Sequence, residues 1–309
     1  KNIGLDLTLL NNRLHVNLDY YYKLTDPLLA AVSVPSSVGS KRVMTNVGSQ
    51  RTQGVSGTVK YSPVYHPEER INWTLSASFK HQKAKYEDIG NSLDQFNKEN
   101  LNTSLVRYYD GGSPTALWAV RSLGINPSDG RELFLTKEGT YTFEYDTEDE
   151  VVVGNSEPKL EGVLGSTLYW KGFSFSLYFR YSLGADVFTE ATYNKVENIS
   201  LAGLKSNQDK RALHDRWQKP GDHAKFKGIS LTETTPISSR FVLRENYIKA
   251  ESISVGYDFE SQAVQKLGIQ SLRLQANTTD LFRISSIKEE RGIEYPFARS
   301  FSFSLSAMF

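Results

Sequence analysis

Five histidines and a scatter of carboxylates are the groups in this chain that could do covalent or metal chemistry, and their spacing supports little of it. His15, His66, His81, His214 and His223 are spread over 309 residues, and only His214 and His223 share a segment, with Asp215 and Asp222 beside them. Two imidazoles and two carboxylates could compose a zinc ligand set, but in so polar a segment they read more readily as solvated side chains. The acidic run Asp146, Glu148, Asp149 and Glu150 lacks the glycine and spacing of an EF-hand. It reads as exposed loop charge, with weak divalent-ion binding the lesser option. The sequence holds no G-x-S-x-G elbow, H-E-x-x-H, G-x-G-x-x-G or G-x-x-x-x-G-K-[ST]. With no cysteine, disulfides, thiolate nucleophiles and cysteine-bound metals are excluded, which suits an oxidising compartment. Neither an enzyme nor a cofactor is expected.

The second chemistry on offer is recognition. Tyr108, Tyr109, Trp118, Tyr193 and Trp217 fall in long polar segments among Arg107, Asp110, Arg216 and Asp222. Ring faces beside planar hydrogen-bonding groups suit sugars or peptides, and the same residues also pack long loops together or meet a protein partner, which is their commoner use. Tyr108, Tyr109, Trp118, Arg216, Trp217 and Asp222 are assigned to ligand or lid contact on this basis.

The elements that position those loops read as strands. Hydrophobic residues make up 39% of the chain and aromatic ones 12%, from 17 Tyr, 16 Phe and 4 Trp. The longest apolar stretch, from Pro27 to Val34, is far short of the ~18 to 20 residues of a membrane-spanning helix. Alternation of period two recurs instead. Phe173, Phe175, Leu177, Phe179, Tyr181 and Leu183 fall on one face against Ser174, Ser176, Tyr178, Arg180 and Ser182. Phe297, Arg299, Phe301, Phe303, Leu305, Ala307 and Phe309 oppose Ser300, Ser302, Ser304 and Ser306 in the same way.

Nine strands are expected, at roughly 2–10, 14–24, 50–63, 70–82, 158–170, 173–184, 244–259, 268–280 and 297–309. Their connections alternate between short and long. Asn11-Asn12-Arg13, the stretch around His66-Pro67-Glu68-Glu69, Lys171-Gly172 and the segment from Glu260 to Leu267 are short; 25–49, 83–157, 185–243 and 281–296 are long. A soluble sandwich has no reason to place every long loop at one end, whereas outer-membrane barrels have short periplasmic turns and long extracellular loops. Nine is odd where single-chain bacterial barrels are even, so the chain reads as the C-terminal part of a larger barrel with its C-terminus periplasmic. A tenth strand within Arg131 to Tyr145 is the alternative. Tyr20, Tyr21, Tyr22, Trp73, Tyr169 and Trp170 flank the strands as headgroup-level girdles would. With 36 Lys and Arg against 35 Asp and Glu, no basic block marks a nucleic-acid surface.

The last strand, SFSLSAMF, resembles the C-terminal signal of outer-membrane barrels, which ends on an aromatic residue. Taken with NNRLHVNLDYYYKLTDPLL, NVGSQRTQGVSGTVKYSP, SLGINPSDGRELFLTKEGT, VVVGNSEPKLEG, RWQKPGDHAKF, SSRFVLRENYIKAESISVGYDF, LGIQSLRLQANTTDLF and YPFARSFSFSLSAMF, the whole chain resembles the C-terminal third of a SusC/RagA-type TonB-dependent transporter of Bacteroidetes. The resemblance implies an all-β antiparallel barrel of about 22 strands, with a plug domain and a TonB-contacting segment N-terminal to this sequence. It implies import of a glycan or peptide oligomer, a SusD-like surface lipoprotein as lid, contact with outer-membrane lipid, and room for a dimer of transporter–lipoprotein pairs. The sequence departs from its relatives at Thr278-Thr279-Asp280-Leu281, where they more often carry Asn-Leu. The family supplies no catalytic residue to carry over. The other function expected of such a barrel is energy-independent: an adhesin or assembly platform built on the loops.

Overall fold

The computed structural model describes residues 1–33, 37, 39–40, 42–230, 232–259, 268–288 and 298–309. Among these, nine strands form one antiparallel wall: β1 (Asn2–Leu9), β2 (Leu14–Thr25), β5 (Ser49–His66), β6 (Ile71–Glu87), β11 (Leu160–Trp170), β12 (Phe173–Phe188), β13 (Val242–Phe259), β14 (Ser271–Thr279) and β16 (Phe301–Met308). Within the wall each pairs with its neighbours in that order, leaving β1 and β16 at the edges. The remaining numbers belong to shorter strands. β3 (Leu29–Ser33) and β4 (Arg42–Asn46) form a hairpin, β15 (Arg283–Ser285) pairs beside β13, and β7 (Ala116–Ile125), β8 (Glu132–Leu135), β9 (Tyr141–Thr142) and β10 (Glu150–Asn155) form a separate sheet in the order β10-β7-β8-β9. Strand does occur within Arg131 to Tyr145, but as β8 and β9 in that second sheet, so the wall keeps its nine.

Register explains the alternation. Directly opposed residues share a face, and the pairs Ile3↔Tyr20, Leu18↔Gly57↔Phe79, Leu75↔Ser166↔Leu177↔Ile253, Trp170↔Phe173↔Tyr257↔Leu274↔Leu305 and Val255↔Ala276↔Phe303 place one apolar face across the wall. The opposite face carries Asn17, Asp6, Lys80, Glu161, Arg180, Glu251, Gln275 and the serines of β12 and β16. Those side chains bond one another: Lys80 to Glu161 at 3.1 Å, Asn17 to Asp6 at 2.6 Å, and Arg180 to Glu251 through two nitrogens at 2.7 and 3.2 Å. β5 and β13, at 18 residues each, exceed the ~9 to 11 residues of a tilted membrane-crossing strand. They therefore stand beyond the apolar band at the long-loop end.

Aromatic rings on the apolar face gather at two levels. At the short-turn end Trp170, Phe173, Tyr257 and Phe259 follow one another with centroids 6.2, 4.5 and 4.7 Å apart; at the long-loop end are Tyr20 and Tyr22. Tyr21 and Tyr169 do not belong to the girdles, because adjacent strand residues point to opposite faces. Tyr21 lies on the polar side, where its hydroxyl donates to Gln82 at 2.8 Å. Two residues suffice for the β11–β12 turn, since Lys171 (φ 47°) and Gly172 (φ 94°) both take the left-handed conformation that such a turn requires. The segment from Glu260 to Leu267, Phe297, and residues 289–296 of the last loop lie outside the described residues.

Few wall side chains are buried, because the wall's partners would be lipid and water. The buried residues are concentrated in the loops and upper strand ends, in three clusters centred on Val47, Tyr86, Ile89 and Leu93; on Leu105, Leu117, Ala119 and Ile237; and on Val196, Ala212, Phe226 and Phe241. The wall makes a direct prediction. Phe303, opposite Ala276 on the apolar face, should cost up to about 2 to 4 kcal/mol when changed to Arg near the bilayer midplane, whereas Ser304→Arg, opposite Gln275, should be tolerated. Unfolding of the full-length protein from lipid vesicles would measure both, and equal losses would show the faces to be reversed.

Candidate functional site

The long loops are folded rather than draped. The segment between β6 and β11 contributes the second sheet and a helical turn, Asp94–Glu99. The segment between β12 and β13 packs against it through a parallel bridge, Val120↔Ser238, and through Ser239, whose hydroxyl accepts from the Ser122 N–H at 2.9 Å. Arg240 locks the two segments together. Its guanidinium donates to Glu132 at 2.9 Å and Glu197 at 2.8 Å, and those carboxyl side chains are 2% and 0% exposed. Ser238 donates to the same Glu132 at 2.6 Å. Burial disfavours the charge of Arg240, but the hydrogen bonds to Glu197 and Glu132 outweigh it and hold its pKa above the usual value.

A second buried pair holds the first loop. Arg107 donates from two nitrogens to Glu150 at 2.9 and 2.7 Å, and from Nη1 to the carbonyls of Ser104 and Val106 at 2.7 and 2.9 Å. Glu150 is therefore not an exposed loop charge like its neighbours in the acidic run: it is buried on β10 opposite Val120. Asp146 and Asp149 accept backbone N–H groups from Glu148 and Lys137, both at 2.9 Å. Among the described residues no three His, Asp or Glu side chains are gathered to hold a metal ion.

Of the six residues assigned to ligand or lid contact, the fold brings two together. Tyr109 and Trp118 meet as a tilted ring pair with centroids 5.0 Å and planes 55° apart, and Tyr109 is 41% exposed. Burial still raises the Tyr109 phenol, so at neutral pH it remains a hydrogen-bond donor. Tyr108 turns the other way and packs between Tyr86 and Phe96, each at 5.5 Å. Arg216 is buried, its guanidinium donating to the carbonyls of Val196, Glu197, Ala212 and Lys227; burial and the nearby Arg240 lower its pKa. Trp217 donates through Nε1 to the Pro127 carbonyl at 3.0 Å and lays its ring on Gly130, where a Cβ would come within 2.5 Å of it. Asp222 accepts the Gln218 and Lys219 N–H groups at 3.1 and 2.9 Å and so closes a turn.

Beside Tyr109 and Trp118 opens a cavity of roughly 1010 Å³, to which Asp94, Lys98, Lys137 and Glu148 contribute charged side chains. Two rings and charges of both signs around a wide opening are features that suit a large polar ligand. The sequence gives no hint of Asp94, Lys98 or Lys137 as cavity residues: the first two share the helical turn, Lys137 lies about 40 residues further on, and no local motif connects them.

An antiparallel wall with one apolar and one polar face, short turns at one end and a folded mass of loops at the other is the construction of a transmembrane β-barrel. The chain belongs to the TonB dependent receptor-like β-barrel family, whose model matches residues 1–189. It is 24% identical to the TonB-dependent receptor P39 of Formosa agariphila, covering 93% of this chain and 31% of that protein. It is 24% identical to the TonB-dependent receptor SusC of Bacteroides thetaiotaomicron, covering 100% of this chain and 31% of SusC. Among solved structures, the RagAB peptide importer in its open-open state superposes with a TM-score of 0.77 at 19% identity, covering 100% of this chain and 34% of that one. The RagAB peptide transporter superposes at 0.75 with 20% identity, covering 93% and 31%. The SusC/RagA-type resemblance of the sequence is thus borne out. The chain spans about a third of the length of these relatives.

Proposed function

We propose that this chain is the C-terminal part of an outer-membrane barrel of about 22 strands that imports an oligomeric nutrient, glycan or peptide, in a TonB-dependent manner. In this reading a plug and a TonB-contacting segment lie N-terminal to the sequence, a SusD-like lipoprotein lids the loops, two such pairs can associate, and the C-terminus is periplasmic. The observation that carries the reading is the joining of an amphipathic wall to a folded loop body that holds the Tyr109–Trp118 cavity at the long-loop end. The names of relatives support it: one is SusC, and RagAB is described as a peptide importer. Transport by this route breaks no covalent bond.

Tyr108, Tyr109, Trp118, Arg216, Trp217 and Asp222 remain the proposed contact set, with Tyr109 and Trp118 touching ligand and the other four shaping the loops around it. Loss of one ring face costs up to about 1.5 kcal/mol beyond area burial, roughly tenfold in affinity. Tyr109→Ala in the full-length protein should therefore weaken oligomer binding to whole cells by about that factor, and deletion of the gene should abolish growth on one polymer. Ligand binding by the protein that persists on de-energised cells, together with unimpaired growth after deletion of the gene, would favour the adhesin or platform reading instead.

A further inference from the structure

We infer that the outer rim of the wall at β5 and β6 is a binding site for the phosphate-bearing headgroup of a lipid in the outer leaflet. The inference rests on the proposed orientation, with the apolar face toward lipid and the long loops outside.

The rows of the wall show how the site is built. Moving toward the loops on the apolar face, the cross-strand rows are Leu18↔Gly57↔Phe79, then Tyr20↔Val55↔His81, then Tyr22↔Gln53↔Lys83, then Leu24↔Arg51↔Lys85. Within two rows the outward face changes from hydrocarbon to rings to cations. Lys83 thus stands at the level of Tyr22, where a girdle ring marks the headgroup region, and Lys85 one row beyond. Arg51 and Lys85 are directly opposed, an arrangement of like charges that costs stability in a sheet. Arg51 reaches Glu87 at 2.9 Å, whereas Lys83 and Lys85 are exposed and form no ion pair among the described residues.

The wall also opens at this height. The β6–β11 ladder ends at Lys80↔Glu161, while β6 continues to Glu87. The gap is a notch of roughly 400 Å³, crossed by a hydrogen bond from His81 Nδ1 to the Lys159 carbonyl at 2.7 Å. Lys83, Lys85, Lys159 and Arg244 line it against two carboxylates, Glu157 and Asp186. Arg244 is already paired with Asp186 at 2.7 Å, so three lysines face Glu157 alone. A recess with surplus positive charge at the edge of the apolar band fits an anionic headgroup whose acyl chains lie on the Phe79 and Val55 side, and phosphate is the anion that ammonium groups bind as point charges. A soluble phosphate would gain nothing from the adjoining apolar rows.

The test uses the full-length protein extracted in mild detergent and native mass spectrometry with bisphosphorylated lipid A as the probe. Wild type should retain the lipid through detergent exchange, and Lys83→Gln with Lys85→Gln should weaken retention roughly 30-fold, the effect of removing two cations at a membrane surface. Equal retention by wild type and variant overturns the site. Competition by inorganic phosphate at equal phosphorus concentration overturns the lipid assignment in favour of a soluble anion. Quenching of Trp73 and Trp170 by brominated lipid is measured on the same protein. Its absence overturns the orientation itself and the inference with it, whereas quenching without a difference in retention overturns the lipid site alone.

Discussion

Replacing Arg240 by methionine in the full-length protein is expected to cost about 3 to 5 kcal/mol and to part the two long loops. The guanidinium is the shared partner of Glu132 and Glu197, which are buried on segments 65 residues apart in the chain. Without it two carboxylates remain out of water with too few donors, Ser238 and Thr235 supplying one each at 2.6 and 2.9 Å. The loss should be local, since among the wall strands only the upper ends of β12 and β13 adjoin the bridge. Hydrogen exchange at Val120 and Phe241 should therefore accelerate while exchange in β11 and in the membrane-level part of β12 does not change. Unchanged exchange at Val120 would mean that apolar packing around Phe241 holds the loops without the bridge. Changing Glu132 and Glu197 to leucine together with Arg240→Met should restore most of the stability, because a well-packed apolar trio avoids the desolvation cost.

Arg107→Leu is expected to be equally severe, about 3 to 5 kcal/mol, for the same reason. It differs in its reach. Glu150 borders the cavity that contains Tyr109 and Trp118, and Arg107 also ties the carbonyls of Ser104 and Val106. An unpaired Glu150 would draw water under β10 and loosen the segment that presents Tyr109. Ligand binding to the full-length protein should fall further than in Tyr109→Ala, and thermal unfolding of the loop body should move to lower temperature. The Arg107→Leu/Glu150→Leu double variant separates the two effects: recovered stability with recovered binding assigns the pair a purely structural role. Recovered stability without binding would place the Glu150 carboxylate in contact with the ligand.

The wall was readable in the sequence because each of its strands meets two different media. Phe173, Phe175 and Leu177 against Ser174 and Ser176 record that difference residue by residue, and Lys171-Gly172 marks the turn. The loop sheet was not readable for the opposite reason. In β7, Ala116, Leu117, Ala119 and Val120 are all buried, and a strand covered on both sides has no alternation to display. Charge misled in the same region. Glu150 reads as part of a solvated acidic run, and nothing nearby announces Arg107, 43 positions earlier. Of the contact set, Tyr109 and Trp118 were visible as rings in a loop, but their contact depends on the β7 backbone, and the charges around them come from three separate segments, Asp94 and Lys98 sharing one of them. Arg216, Trp217 and Asp222 carry the side chains of a binding loop, yet their hydrogen bonds are made inside their own segment or to Pro127.

The parallel bridge between Val120 and Ser238, together with Arg240, has a consequence for how such a protein can change over generations. The wall and the loop body draw their cohesion from different sources, so recombination can replace the loops without altering the strands that enter the membrane. It cannot replace one long loop alone. A gene exchange that brings in a new segment between β6 and β11 without its counterpart between β12 and β13 takes Glu132 away from Arg240, whose remaining carboxylate partner is Glu197 of its own segment, and leaves the buried guanidinium half-paired. The two segments are therefore inherited as one unit, and new ligand preferences should arise by exchange of the pair.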